Sequence, residues 1–298
     1  MRSKLFVPSS RPELFGKALA GEADAISFDL EDAVAPQAKP AARVELRTLL
    51  RGAALNVAAK GSKTLVVRVN SVDTPHFAQD LDAVVWPSLH VINLPMVESA
   101  AMIRQAAEAL GALEQARGIS KQIAILANIE SPRGLRLAAE IASAHPRVVG
   151  LQIGYGDLFA PLGIATGQPA ATQHVRMVVR IAAGEAGIDA YDGAYVNFSD
   201  LDGYRRDSIS ARELGFTGRS CVHPSQVAAA NEVFQPSADD LAHALRVVDA
   251  ARHHLSAGTG AFSVDGRLVD GPFITQAERL VTLARRLGLI DQQTRTLK

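Results

Sequence analysis

Short apolar runs recur along this chain, separated by longer stretches whose apolar positions follow a helical period. The runs are 5–8 (LFVP), 25–30 (AISFDL), 65–70 (LVVRVN), 91–95 (VINLP), 123–129 (IAILANI), 148–154 (VVGLQIG), 193–196 (GAYV) and 218–223 (GRSCVH). They are β-rich and do not alternate apolar with polar, which is the pattern of strands buried on both faces. Helical patterns lie between them at 99–117, 132–144, 174–187 and 201–214. Ser131 is placed to cap the second of these, with Pro132 at its first helical position. Strands alternating with helices predict an α/β protein, a closed (β/α)8 TIM barrel over 1–235. An open doubly wound sheet is the competing architecture, but no glycine fingerprint follows the first strand. The remaining 236–298 reads as a C-terminal extension: a helix at 238–255, a hairpin turning at Asp265-Gly266, and a helix at 274–287. It is expected to act as a lid or as an arm contacting another subunit.

Composition narrows the class. The chain has 298 residues, 48% of them hydrophobic, enough for one large buried core. Lys plus Arg and Asp plus Glu both total 31, which argues against nucleic acid or an acidic membrane as partner. Cys221 is the single cysteine, so no intrachain disulfide can form. No run approaches the roughly 20 apolar residues of a membrane span, and the opening MRSKLFVPSSRPELF lacks a signal-peptide core. A cytoplasmic protein is expected.

In a barrel, chemistry gathers at the carboxyl ends of the strands. Those ends carry Asp29, Glu31 and Asp32, then Arg68 and Asn70, Asn128 and Glu130, the run Gly154-Tyr155-Gly156-Asp157, and His223. Glu130 and Asp157 come from neighbouring strands and suit a hard cation such as magnesium, although two solvated or ion-paired rim acids would look the same. Arg68 sits in an apolar strand, where it either grips a substrate carboxylate or pairs with Asp29 or Glu31. The acidic run 29–32 reads as support for these groups. His223 reads as a hydrogen-bonding structural residue, Cys221 bears no mark of a nucleophile, and His253-His254 reads as surface.

The ordered segments RSKLFVPSSRPELFGKA, SFDLEDAV, VVRVN, LPMVES, ANIES, GYGDL, GFTGRSCVHPSQV and GAFSVDGRLVD run from Arg2 to Asp270. Together they resemble the citrate lyase β-subunit-like branch of the HpcH/HpaI aldolase superfamily. The resemblance implies a barrel in which Glu130 and Asp157 hold Mg2+ and Arg68 contacts the carboxylate of a 2-ketoacid. It implies Asp270 as an acid/base residue delivered from a neighbouring subunit of a homotrimer or hexamer. It also makes Arg11 and Lys17 candidates for the phosphates of a CoA thioester. Met96, in LPMVES, stands where many relatives carry lysine, so one rim charge is missing.

The reaction implied is a reversible Claisen-type cleavage of a β-hydroxyacyl-CoA, such as citramalyl-, malyl- or citryl-CoA, to acetyl-CoA and a 2-ketoacid. Arg68 and Glu130 would bind substrate, and Asp270 would move the proton at carbon. The alternatives are a class II pyruvate aldolase, a thioesterase acting after condensation, and a non-catalytic or acyl-carrier-dependent lyase subunit.

Overall fold

The structure is a computed structural model that describes residues 1–52, 63–256 and 258–290. Its strands are β1 Ser3–Pro8, β2 Ala25–Asp29, β3 Thr64–Arg68, β4 Val91–Leu94, β5 Ala124–Ile129, β6 Val148–Ile153, β7 Asp189–Asp192 and β8 Gly218–Cys221. They pair in parallel in chain order, and β8 returns to β1, so the sheet closes into a barrel. Closure accounts for the missing alternation. One face of each strand looks into the barrel and the other onto helices, and of the barrel strands' residues only Val149, which the β5–β6 register skips, is exposed.

Seven strands fall where the apolar runs predict, and the seventh does not. β7 is DAYD, and the run 193–196 follows it as irregular chain. The apolar signal is hidden because Asp192 is fully buried, neutralised by Arg176 at 2.7 Å and Arg219 at 3.3 Å. The helix expected over 132–144 divides at Leu137 into Pro132–Arg136 and Ala138–Ala142. Its predicted cap is present, with the Gly134 N–H donating to Ser131 Oγ at 3.0 Å. Helices Lys39–Arg51, Phe77–Val84 and Val227–Val233 join those read from the pattern.

Inside the barrel the side chains form levels. Ala25, Val66, Val91, Leu126 and Tyr191 make an apolar floor. Gly150 leaves room for the tyrosine, since a Cβ there would lie 2.8 Å from its ring. Residues two further along share the same face. That places Ser27, Asn93, Asn128, Gln152 and Ser220 above the floor as a buried polar level, joined by Lys4 from β1. The rim lies above that level.

The chain forms two units, Met1–Phe234 and Gln235–Lys298. The second has helix Ala238–Ser256, strands β9 Phe262–Val264 and β10 Arg267–Val269, and helix Gly271–Arg286, around a small core of Val247, Ala251, Phe262 and Val281. Asp265 and Gly266 both take positive φ (51° and 75°), as a two-residue hairpin turn of the I′ type requires. Among the described residues no helix is long and apolar enough to cross a membrane.

Candidate active site

β2 and β3 bring the first pair together. Asp29 and Arg68 are register partners, so their side chains emerge side by side at the rim. Arg68 Nε donates to Asp29 Oδ1 at 2.8 Å and Nη2 to Oδ2 at 2.6 Å, a two-point grip. Its other end, Nη1, lies 2.8 Å from Glu31 Oε2 and 3.2 Å from Asp32 Oδ2. The ion pairing weighed from sequence is therefore present, and it occupies the Nε/Nη2 edge of the guanidinium. Burial works against the Arg68 charge, but the Asp29 hydrogen bonds and the surrounding acids hold its pKa above the ordinary value. Asp29 also accepts the N–H groups of Glu31 (2.9 Å) and Ala33 (3.2 Å), which ties the chain into its turn after β2.

Glu31 is less well served. Arg68 approaches Oε2 outside hydrogen-bonding geometry, so this buried oxygen has no donor. Burial, reinforced by the charges of Asp32, Glu130 and Asp29, outweighs Arg68 and pushes the carboxyl up to about 8.

Glu130 follows β5 and is 2% exposed. Its Oε1 accepts the Met96 N–H at 2.7 Å, and its Oε2 accepts from Asn128 Nδ2 at 3.1 Å. Met96 makes its contact from a left-handed backbone, φ 51°, a conformation that costs a non-glycine residue energy. Gly154, after β6, packs on the same carboxyl, and a Cβ there would overlap Oε2. Burial raises Glu130 to about 7. Asp157 adds to the rise, while the Met96 N–H, Arg68 and Asn128 oppose it.

Asp157 lies in the first turn of the short helix Tyr155–Phe159, with its side chain exposed. A buried network anchors this segment. Tyr155 OH donates to Asp192 Oδ1 at 2.7 Å, and Arg176 and Arg219 both reach Asp192 and Asp207. Sequence reasoning missed this network, because its members lie in three helices and two strands.

The two acids proposed for a metal are thus brought within electrostatic reach of each other. Among the described residues no group of three or more His, Cys, Asp or Glu side chains forms a metal cage. Magnesium takes one or two carboxylates and fills its other positions with water and substrate oxygens, so Glu130 and Asp157 are a donor set of the kind it uses. The Arg68 charge does not offset the burial of Glu130, and a divalent ion would supply the further positive charge.

The other candidates are more dispersed. Arg11 and Lys17 are exposed after β1, with Arg11 Nε bonded to Glu13 at 2.8 Å. Asp270 occupies the N-cap position of Gly271–Arg286 without capping it, and its Oδ1 is buried with no hydrogen-bond partner. His223 Nδ1 accepts the Ser225 N–H at 3.2 Å and its ring stacks on Phe198, a structural role. Cys221 is buried against Tyr204 OH at 3.2 Å and pushed up to about 11 by burial, which suits an inert thiol. Asn70 bonds Leu30 O and Asp80 rather than facing the rim site. A recess of about 460 Å³ between Lys39–Arg51 and Phe77–Val84 has Arg43 and Arg47 already paired with Asp80 and Asp82.

Comparison with known proteins places this geometry in context. The HpcH/HpaI aldolase/citrate lyase family matches residues 2–224. The citrate lyase subunit beta of Leuconostoc mesenteroides subsp. cremoris is 34% identical over 296 residues, covering 98% of this chain and 96% of that protein. An L-malyl-CoA/beta-methylmalyl-CoA lyase of Rhodobacter capsulatus is 36% identical over 304 residues, 95% of this chain and 94% of the lyase. Among solved structures, CitE from Mycobacterium tuberculosis in complex with magnesium, acetoacetate and coenzyme A superposes with a TM-score of 0.73. It is 34% identical, and the match covers 97% of this chain and 100% of that one.

Proposed function

The chain belongs to the HpcH/HpaI aldolase/citrate lyase family, and on that premise we propose that it is a magnesium-dependent carbon–carbon lyase. It cleaves a β-hydroxyacyl-CoA to acetyl-CoA and a 2-ketoacid, or joins the two in reverse. One observation carries this reading: a buried Glu130 carboxyl, tethered by the Met96 N–H and Asn128, packed under Gly154 and in the field of Asp157. Relatives named for citrate lyase and malyl-CoA lyase activity, and a neighbour holding magnesium, acetoacetate and coenzyme A, support it.

Glu130 and Asp157 would hold the ion, which when bound supplies Lewis acidity toward the oxygen that becomes the ketoacid carbonyl. Arg68 binds the distal carboxylate through its Nη1 end, because Asp29 holds the other edge. The carboxylate then takes the place of Glu31 and Asp32 at that end. In cleavage the substrate hydroxyl loses its proton to water and the carbon–carbon bond breaks. The bonding pair passes to the thioester α-carbon, which Asp270 protonates; in synthesis Asp270 removes that proton. An aspartate at a helix start that leaves its helix uncapped is free for such work. It acts in the site of a neighbouring copy within a cytoplasmic homotrimer or hexamer, while Arg11 and Lys17 meet the CoA phosphates.

The test is turnover of citramalyl-, malyl- and citryl-CoA with and without Mg2+. Cleavage of at least one, abolished by chelation, is expected. Normal turnover by a folded Glu130→Ala/Asp157→Ala variant removes the metal assignment.

A further inference from the structure

Beneath Glu130 the barrel interior holds hydrogen bonds that all point the same way. Lys4 Nζ on β1 donates to Asn93 Oδ1 on β4 at 2.6 Å. Asn93 Nδ2 donates to Asn128 Oδ1 on β5, also at 2.6 Å. Asn128 Nδ2 donates to Glu130 Oε2 at 3.1 Å. Lys4, Asn93 and Asn128 are 2%, 0% and 1% exposed. Lys4 reaches this level because it shares the inward face of β1 with Phe6, whose ring centroid lies 4.2 Å from Nζ and 5.1 Å from the Arg68 guanidinium.

The direction follows from chemistry. Burial and the nearby Arg68 charge push the Lys4 amine well below its ordinary pKa, and as ammonium or as neutral amine it can donate to the Asn93 oxygen, leaving the Asn93 NH2 turned onward. The Leu126 carbonyl accepts from the same NH2 at 3.1 Å and demands the same orientation. Asn128 must then offer its oxygen to Asn93 and its NH2 to Glu130. A lysine amine whose bonded partner is a neutral amide is a costly occupant of a barrel interior; what it provides here is orientation. Without Lys4, Asn93 Oδ1 is left buried with no donor, and rotation of the amide to find one withdraws its NH2 from Asn128.

The geometry points to Lys4 as a positioning residue for Glu130, acting through Asn93 and Asn128 to fix which carboxylate oxygen is tethered inside the barrel and how the group meets magnesium. This assignment rests on the metal reading given above. Lys4 itself is two side chains away from Glu130 and is not one of the groups that would hold the ion. Supporting groups of this kind typically alter metal affinity by about ten- to a hundredfold when removed.

The experiment counts bound Mn2+ by electron paramagnetic resonance, with Mg2+ as competitor and no substrate. The proteins compared are the wild type, Lys4→Met, Lys4→Met/Asn93→Leu and Glu130→Ala, with kcat and KM measured in parallel. Lys4→Met is expected to weaken metal binding about tenfold and to lower kcat while KM for the thioester stays within about twofold. If the single variant does not fold, the double variant carries the same expectation, because it removes both members of the buried pair and strands neither. Wild-type metal affinity in the folded Lys4 variant overturns the assignment. So does a lowered melting temperature with metal affinity unchanged, the mark of a side chain that only fills space. Undiminished metal binding by Glu130→Ala overturns the metal reading and this inference together. Binding lost in Glu130→Ala but intact in the Lys4 variants overturns the role of Lys4 alone.

Discussion

Gly154 packs against the Glu130 carboxyl so closely that a methyl group there would overlap Oε2. The backbone at Gly154 (φ −112°, ψ 92°) is open to any L-residue, so an alanine would be opposed by space alone. Gly154→Ala is expected to push the carboxylate out of place and lower kcat by about a hundredfold, the usual cost of an ångström of misplacement. Turnover measured beside circular dichroism checks this; an active, folded variant would show that the carboxyl has room to move.

Stability should depend on pH in a particular direction. Burial raises Glu130 from 4.5 to about 7, so the folded state holds a proton that the unfolded state has released. The stabilisation is complete below 4.5 and fades as pH climbs through 7. It is worth on the order of 3 kcal/mol at 1.36 kcal/mol per unit. Glu31, raised to about 8, extends the decline. Urea titrations of metal-free protein between these limits should show it, and Glu130→Gln should flatten the curve. Added Mg2+ should restore stability on the alkaline side.

Arg68→Lys keeps the charge but loses the two-point grip on Asp29. A fall of roughly a hundredfold in kcat/KM is expected from the displaced cation. In the synthetic direction the KM for the ketoacid should rise while that for acetyl-CoA holds. Steady-state kinetics with each substrate varied separates the two effects.

Asp192 is the fully buried one of the two acids on which Arg176 and Arg219 converge. Asp192→Ala leaves buried guanidinium groups short of a counter-charge and should destabilise the barrel by about 3–5 kcal/mol. Tyr155→Phe removes one hydrogen bond to the same carboxylate and should cost only about 1 kcal/mol. Chemical denaturation of both variants gives the comparison.

If Asp270 works in a neighbouring copy, two dead variants should rescue each other. Asp270→Asn is expected to bind metal normally and turn over poorly, and Glu130→Ala to lose both functions. Co-expressed as mixed oligomers, they should recover part of the activity, because some sites combine an intact rim with an intact aspartate. Mixed oligomers with no recovered activity would rule out a shared site.

Seven of the eight strands were legible because burial on both faces leaves a mark in each residue separately. β7 was not, since its Asp192 is made apolar in effect by arginines distant in sequence. The rim acids were legible because each closes an apolar run. Lys4 and Asn93 were not, for a lysine just before one apolar run and an asparagine inside another carry no sign that they face each other across a barrel.

The residue pattern predicted a barrel, the acids on its rim and the hairpin turn at Asp265-Gly266, and its ordered motifs carried the resemblance to the family. Each of these is written in neighbouring positions, where periodicity and local backbone preference operate. The edge of Arg68 taken by Asp29, the glycine pressed on Glu130 and the donor that orients each amide emerged from the fold. Hydrogen bonds and desolvation act over a few ångströms of space, and it is strand register around the barrel that sets which distant residues come that close.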